Sequence, residues 1–402
     1  MGIWLASILA QALSFSVEDS AALRSRLAAD VVSLDAEMAP GLTLALRQKR
    51  VAWTLGYYPQ LTLNDFAGSP PGSPSVTHTV NAQSSIAFRR AQLTLSQSGS
   101  YGTQNLRVPA IFAPPVPEPA REAADAMPAA DPNEALAILA QPTLITAAYD
   151  EPIRYANSSS SVALGHVLSH RLTLSETLGY SFGSGLDTSA RALYPRQDQV
   201  GAGVSLGTIV SRNDTLTSSL SAQLTTTKNT NARILSGTES WSHRFSPTVN
   251  GDIGAGLAYT ESVDPAGNPT SVLPVGSVSV SLQQPRRRVR HSVSLSLGVA
   301  PQVDRVSGTI DSRATWSLTG VRTRGPLTLS LNSAGTSSLD ENSANRFLAL
   351  GGTAQASYAV TEEFSGALSV GSTWQDFRTA TSTPPVWFGA LLLTYRLAPQ
   401  PL

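Results

Sequence analysis

Five histidines are the first residues in this chain that could do chemistry: His78, His166, His170, His243 and His291. His166 and His170 stand four apart, the spacing that lets two imidazoles on one helix face share a metal ion. His170, however, belongs to Ser169-His170-Arg171, which reads as a turn between two alternating segments. These two are read as interfacial or turn histidines, and no metal ligands are assigned. Serines are abundant throughout, and a Ser/His/Asp triad is recognised by geometry and not by position, so none is singled out. There are no cysteines, which removes disulfides, thiolate metal sites and cysteine nucleophiles. Gly254 and Gly256 sit inside an alternating segment and do not open a helix, so they are strand glycines and not a phosphate loop. The expectation is a chain with no catalytic residue, no cofactor and no metal, and an outer-membrane hydrolase is the least favoured reading.

What would position these residues is legible in RRRVRHSVSLSLGVA, residues 286–300. Val289, His291, Val293, Leu295, Leu297 and Val299 fall on one side of an extended chain. Arg290, Ser292, Ser294, Ser296 and Gly298 fall on the other. The same two-faced pattern recurs along the chain. Val51, Trp53, Leu55, Tyr57, Leu61 and Leu63 oppose Thr54, Gly56, Tyr58, Gln60 and Thr62. Leu216, Leu220 and Leu224 oppose Thr217, Ser219, Ser221, Gln223 and Thr225. About seventeen such segments follow Pro40, and Leu27–Met38 supplies one more.

Charged residues make up 14% of the 402, against about 25% in ordinary soluble domains, and the net charge is zero. Ser, Thr and Gly occupy the polar face instead. Mean hydropathy of −0.03 is too low for a bundle of membrane helices. Neutrality also argues against nucleic acid as the main partner. Residues 1–12, MGIWLASILAQA, hold an apolar run ending in Ala10-Gln11-Ala12 and read as a secretory signal peptide without its usual basic start. Residues 13–402 then form a single domain.

The junctions alternate in character. Gln48-Lys49-Arg50, Arg89-Arg90, Ser211-Arg212-Asn213, Pro285–Arg288 and Thr361-Glu362-Glu363 are short and charged. Those at 64–75, 186–197, 262–270 and 379–385 are longer, while junctions near 229–230 and 305–307 break the rule. Short turns on one side and long loops on the other, with strands of about ten tilted residues, characterise outer-membrane barrels. A soluble β-sandwich would carry more Lys and Glu on its wet face. The fold class expected is therefore all-β: a closed antiparallel transmembrane β-barrel of about 16–18 strands, with 18 favoured.

Residues 107–150, with APPVPEP and AREAADAMPAADP, are Pro- and Ala-rich and form an insertion, with a short helix expected over Pro132–Ala140. Phe88, Trp241, Phe245, Phe364 and Tyr395 lie near short turns and suit an interfacial girdle. Glu176 shares the face of Leu172, Leu174, Leu178 and Tyr180, an awkward place for a carboxylate in lipid.

The last strand, WFGALLLTYRL at 387–397, places Gly389, Leu391, Leu393, Tyr395 and Leu397 on one face. It resembles the C-terminal strand that Gram-negative outer-membrane barrels present to the barrel-assembly machinery, with Leu397 where a terminal Phe is usual. The whole chain resembles single-chain barrels of that class. In size, strand number and the Val51–Leu63 strand with its Tyr57-Tyr58-Pro59, it is similar to barrels associated with Wzx/Wzy-type exopolysaccharide export in myxobacteria. That resemblance implies a place in the cell outer membrane, contact with its lipid, and periplasmic polysaccharide-export components as partners.

Such a barrel encloses an aqueous channel. The residues expected to line it are Asp252, Arg290, Ser292, Ser294, Ser296, Arg313, Thr315, Ser317, Gln355 and Gln375. A lining of many weak hydroxyl partners suits a hydrated polar solute, foremost an exported polysaccharide. A general porin-like pore and a non-conducting adhesin or envelope scaffold are the alternatives.

Overall fold

The computed structural model describes residues 13–28, 31–63, 74–105, 152–228, 230–263, 269–285, 289–303, 309–339, 347–377, 385–397 and 400–401. The strands are β1 (Leu13–Ala28), β2 (Val31–Arg47), β3 (Val51–Leu63), β4 (Pro74–Ala87), β5 (Ala91–Asn105) and β6 (Pro152–Ser169). Next come β7 (Leu172–Gly185), β8 (Gln197–Ile209), β9 (Asp214–Thr227), β10 (Asn231–Ser246), β11 (Val249–Val263) and β12 (Thr270–Pro285). The remainder are β13 (Val289–Val303), β14 (Ile310–Arg324), β15 (Leu327–Ser338), β16 (Phe347–Ala359), β17 (Phe364–Phe377) and β18 (Val386–Arg396). A two-residue strand β19 (Gln400–Pro401) follows, and one helix, α1 (Thr188–Leu193), lies between β7 and β8.

Each strand pairs antiparallel with its chain neighbours, and β18 returns to β1 from Glu18↔Arg396 to Leu27↔Trp387. β19 adds Ser14↔Pro401 at the same seam. The long strands thus form a closed cylinder of 18, the number favoured from the alternation. Closure matters because hydrocarbon offers no partners for edge N–H and C=O groups.

The strands are distributed differently from the sequence reading. Sixteen long strands follow Pro40, not seventeen, and Leu27–Met38 is divided between β1 and β2. Pro40 and Gly41 lie inside β2, where the pairing with β3 skips residues 39–41. A proline has no N–H to give a ladder, so it suits the place where that ladder is interrupted. The charged residues of β1 and β2 had also masked their alternation.

At the end holding both termini, short connections such as 48–50, 88–90, 170–171, 325–326 and 360–363 join the strands. The opposite end carries the longer ones, including 186–196. β9 and β13 also end, and β10 and β14 begin, at this end, so the alternation of ends is intact, while residues 229 and 305–307 fall outside the described residues. The insertion at 107–150, its expected helix, Arg286–Arg288 and residues 1–12 fall outside the described residues.

Register carries the two-faced pattern around the wall. Leu295 lies opposite Val280 and Leu318, while neighbouring Ser296 lies opposite Ser279 and Ser317. The aliphatic face holds the exposed Leu and Val residues, such as Leu257 at 62%. Side chains diverge outside a cylinder and converge inside it, so the more covered hydroxyl face is the inner one. The outer face is a greasy belt, and its form is that of a membrane-spanning barrel.

Candidate functional site

The inner wall is the candidate site. Ser and Thr dominate it, and they bond in pairs across neighbouring strands. Ser96 meets Ser161 at 2.6 Å, Ser98 meets Ser159 at 2.6 Å and Ser221 meets Ser236 at 2.6 Å. Thr260 with Ser271 and Ser296 with Ser317 both stand at 2.7 Å. Each pair uses one donor and leaves lone pairs facing the lumen, so the surface offers many shallow hydrogen-bonding points. Small side chains also leave the cylinder wide.

The residues expected to line a channel occupy this face by register. Arg290, Ser292, Ser294 and Ser296 lie on β13, with Ser296 opposite Ser317 of β14, while Thr315 and Arg313 follow on β14 opposite Gly298 and Ala300. Asp252, two strands away on β11, accepts from Ser279 Oγ at 2.9 Å. Gln355 on β16 lies between Ser330 and Ser369, apart from the β13–β14 group. Gln375 lies on β17 opposite Ala349, and its side chain is outside the described residues.

Charges on the described inner wall fall in two bands. At the end with the termini are Arg47, Arg244, Asp252, Arg290 and a pair in which Arg396 Nη2 stands 2.8 Å from Glu18 Oε2. At the long-loop end, Arg24 Nη2 lies 2.7 Å from Glu37 Oε1, and Gln60 Nε2 donates to Glu37 Oε2 at 3.2 Å. Asp35 lies opposite Arg24 in the β1–β2 register. Across the barrel, Arg313 Nη1 donates to Gln302 Oε1 at 3.3 Å, with Asp311 beside it on β14. Sequence reading found Arg313 and missed the Arg24 cluster. The available signal was parity: Arg24, Asp35 and Glu37 each alternate with aliphatic residues.

The long-loop end is also the packed end. Thr225 is 0% exposed and Arg313 2%, whereas Ser294, Ser296 and Asp252 are open. Loop 186–196 folds onto the inner face there. Ala190 of α1 and Tyr194 pack against Ile153 and Tyr155, and Tyr194 Oη donates to Asn157 Oδ1 at 2.6 Å. Asp187 caps α1 by accepting from the Ala190 N–H at 2.7 Å, and that bond holds its carboxyl below the usual range. The approach needs Gly185, because a Cβ there would stand 2.3 Å from the Ala190 carbonyl carbon. Across the mouth, Val303 joins Ala232, Ile234 and Ala258, with Val275 and Ile310 against them. Since Ala232, Ile234 and Ala258 are inner-face residues, the end of the β13–β14 hairpin leans inward.

On the outer face, Trp241, Phe245, Phe364 and Tyr395 lie near the short-turn end of their strands, and Phe88 lies in a turn there. A second set, including Tyr57, Tyr101 and Tyr259, lies toward the loops, and Tyr57 Oη bonds His78 Nδ1 at 2.8 Å. Glu176 remains on the outer face between Leu164 and Val204, without a bulge. His166 lies on β6 and His170 in the turn after it. His243 Nδ1 meets Asp214 Oδ1 at 2.7 Å, and Ser211 bonds the other oxygen of the same carboxylate. A nucleophilic serine must instead bond the imidazole, so this trio is not a triad. The C-terminal residues Gly389, Leu391, Leu393 and Tyr395 share the outer face of β18, and Leu397 N–H closes on Val17 O at 2.9 Å.

A family model described as the EpsX exopolysaccharide export family matches residues 7–398. Among solved structures, the chain is similar to Pseudomonas aeruginosa OccK2 (OpdF) in complex with glucuronate, with 12% identity. That alignment covers 96% of this chain and 98% of that one, with a TM-score of 0.47. The FrpB iron transporter of Neisseria meningitidis aligns at 9% identity over 96% and 82% of the two chains, with a TM-score of 0.49. A BenF-like porin from Pseudomonas fluorescens Pf-5 aligns at 11% identity over 96% and 98%, with a TM-score of 0.46. No curated protein matches the chain.

Proposed function

The chain belongs to the EpsX exopolysaccharide export family, and from that premise we propose that its barrel is an outer-membrane channel through which an exopolysaccharide leaves the cell. The observation that carries this reading is the inner wall. Between its two charged bands the described face is mostly Ser, Thr, Gly, Gln and Ala. A polymer must be wetted at every step and held at none. Each neutral hydrogen bond contributes only about 0.5–1.5 kcal/mol net, and the hydroxyls repeat at the spacing of the strands, so sliding exchanges like for like. A ring of one sign would trap a charged polymer or repel it.

In this reading Asp252, Arg290, Ser292, Ser294, Ser296, Arg313, Thr315, Ser317, Gln355 and Gln375 face the passing chain. The work is passage, with no bond made or broken. Gly389, Leu391, Leu393, Tyr395 and Leu397 serve as the strand offered to the barrel-assembly machinery, and residues 1–12 as the secretory leader. Periplasmic export components meet the end that carries the short turns.

The test has two arms. Purified barrel in planar bilayers is expected to give discrete conductance steps, and cells lacking the chain are expected to retain polymer in the periplasm. A conducting barrel whose loss leaves surface polymer unchanged would favour a porin-like pore. A barrel that never conducts would favour a scaffold.

A further inference from the structure

Tyr58 occupies an unusual position on the inner wall. It faces Thr79 of β4, and Gly41 lies against its ring from β2, at the place where the β2–β3 ladder is interrupted next to Leu42↔Tyr57. Its ring covers two glycines: a Cβ on Gly56 would stand 2.5 Å from Tyr58 Cε2, and one on Gly41 2.8 Å from Cδ1. Its hydroxyl is tied down to Thr43 Oγ1 at 2.9 Å. The ring therefore lies flat along the wall, with one face on backbone and the other toward the lumen. Two other inner-wall rings, Tyr155 and Phe388, are buried at 6% and 8%, whereas Tyr58 is only partly buried.

The surroundings are donors and acceptors. Thr79 lies opposite Tyr58, Asn81 opposite Gly56, and Gln60 one inner position further along β3, where it also bonds Glu37. A flat aromatic face ringed by amides and hydroxyls matches a pyranose, whose C–H face packs on a π surface while its equatorial hydroxyls bond sideways. A phosphate or a metal ion would find no such use for the ring. We propose that Tyr58, with Thr79, Asn81 and Gln60, is a stacking site for a pyranose unit inside the barrel. Gly41 and Gly56 are the clearance that keeps the ring flat. This inference rests on the channel reading for its purpose, but not for its chemistry.

The test is calorimetric titration of the detergent-solubilised full chain with maltohexaose. Binding in the millimolar range is expected for the wild type, and Tyr58→Phe should keep it within about twofold. Tyr58→Ala should weaken it about tenfold, a difference of about 1.4 kcal/mol. Gly56→Val, which pushes the ring off the wall, should weaken it similarly while leaving Tyr58 in place. No binding by the wild type, or equal binding by Tyr58→Ala, overturns the site. Conductance of the same preparations separates the two ideas. A conducting barrel indifferent to the sugar loses the site and keeps the channel, whereas one that binds at Tyr58 without conducting loses the channel and keeps the site.

Discussion

The two ends of the inner wall are built on opposite principles. Toward the short turns the wall is open: its charges at Arg47, Arg244, Asp252 and Arg290 are exposed, and the hydroxyls of Ser294, Ser296 and Ser221 at and near mid-wall meet water. Toward the long loops it is closed and ionic: Arg24, Asp35, Glu37, Asp311 and Arg313 are all at most 5% exposed, beside two apolar clusters. Exposed charges and hydroxyls need nothing from their neighbours, because water satisfies them. A buried ion pair depends on its partner, since removing one member strands the other in a low-dielectric site. The open end should therefore tolerate substitution and govern passage, whereas the closed end should govern stability and access.

The largest expected effect follows directly. Arg24→Met leaves Glu37 and Asp35 with their cation gone and should cost about 3–5 kcal/mol, read as a fall in the urea midpoint of the folded barrel in detergent. Arg24→Met with Glu37→Met should recover much of that loss. If the single variant is no less stable than wild type, the contrast between the ends fails.

The second test uses two adjacent residues of β13. Leu295→Arg places a cation in the lipid-facing belt and should cost about 2–4 kcal/mol. Ser296→Arg, one residue on, should change stability by less than about 0.5 kcal/mol and shift the reversal potential toward anions. Equal costs would mean the two faces are not lipid and water.

A smaller effect is expected at the mouth. Gly185→Val drives a side chain into Ala190 and should cost about 1–3 kcal/mol, with single-channel conductance rising as α1 lifts from the wall. Tyr194→Phe removes only the bond to Asn157 and should cost about 1 kcal/mol in the same unfolding assay.

The smallest effect concerns Asp187. Its carboxyl is held below the ordinary range mainly by the Ala190 N–H, so the charged form favours the folded cap. That contribution is complete above the unfolded value of about 3.9 and is lost as pH falls through the lower folded value. Hydrogen exchange at Ala190 should be faster in Asp187→Ala than in wild type near neutrality, and the two should converge below that range.

Much of this architecture was readable in the chain, for local reasons. A strand repeats every two residues, so Val293, Leu295 and Leu297 had to share a face opposite Ser292, Ser294 and Ser296, whatever lay beside them. The lengths of the connections separated one end from the other. β1 and β2 were harder, because their inward charges and the Pro40-Gly41 pair interrupt the pattern that elsewhere announces a strand. The Arg24 cluster was hidden for a related reason: its members are far apart along the chain and meet only through the β1–β2 and β2–β3 registers.

Taken alone, the order of residues determined an all-β chain of about 16–18 two-faced segments, the face each side chain takes and the poverty of charge on the wetted side, because all three depend on composition and a two-residue period. Only the tertiary structure decided that β18 closes on β1, that Arg24 meets Glu37, that loop 186–196 turns into the mouth, and that Tyr58 lies across Gly41. Those outcomes depend on the stagger between strands and on the path of loops, and both are settled by contacts between residues distant along the chain.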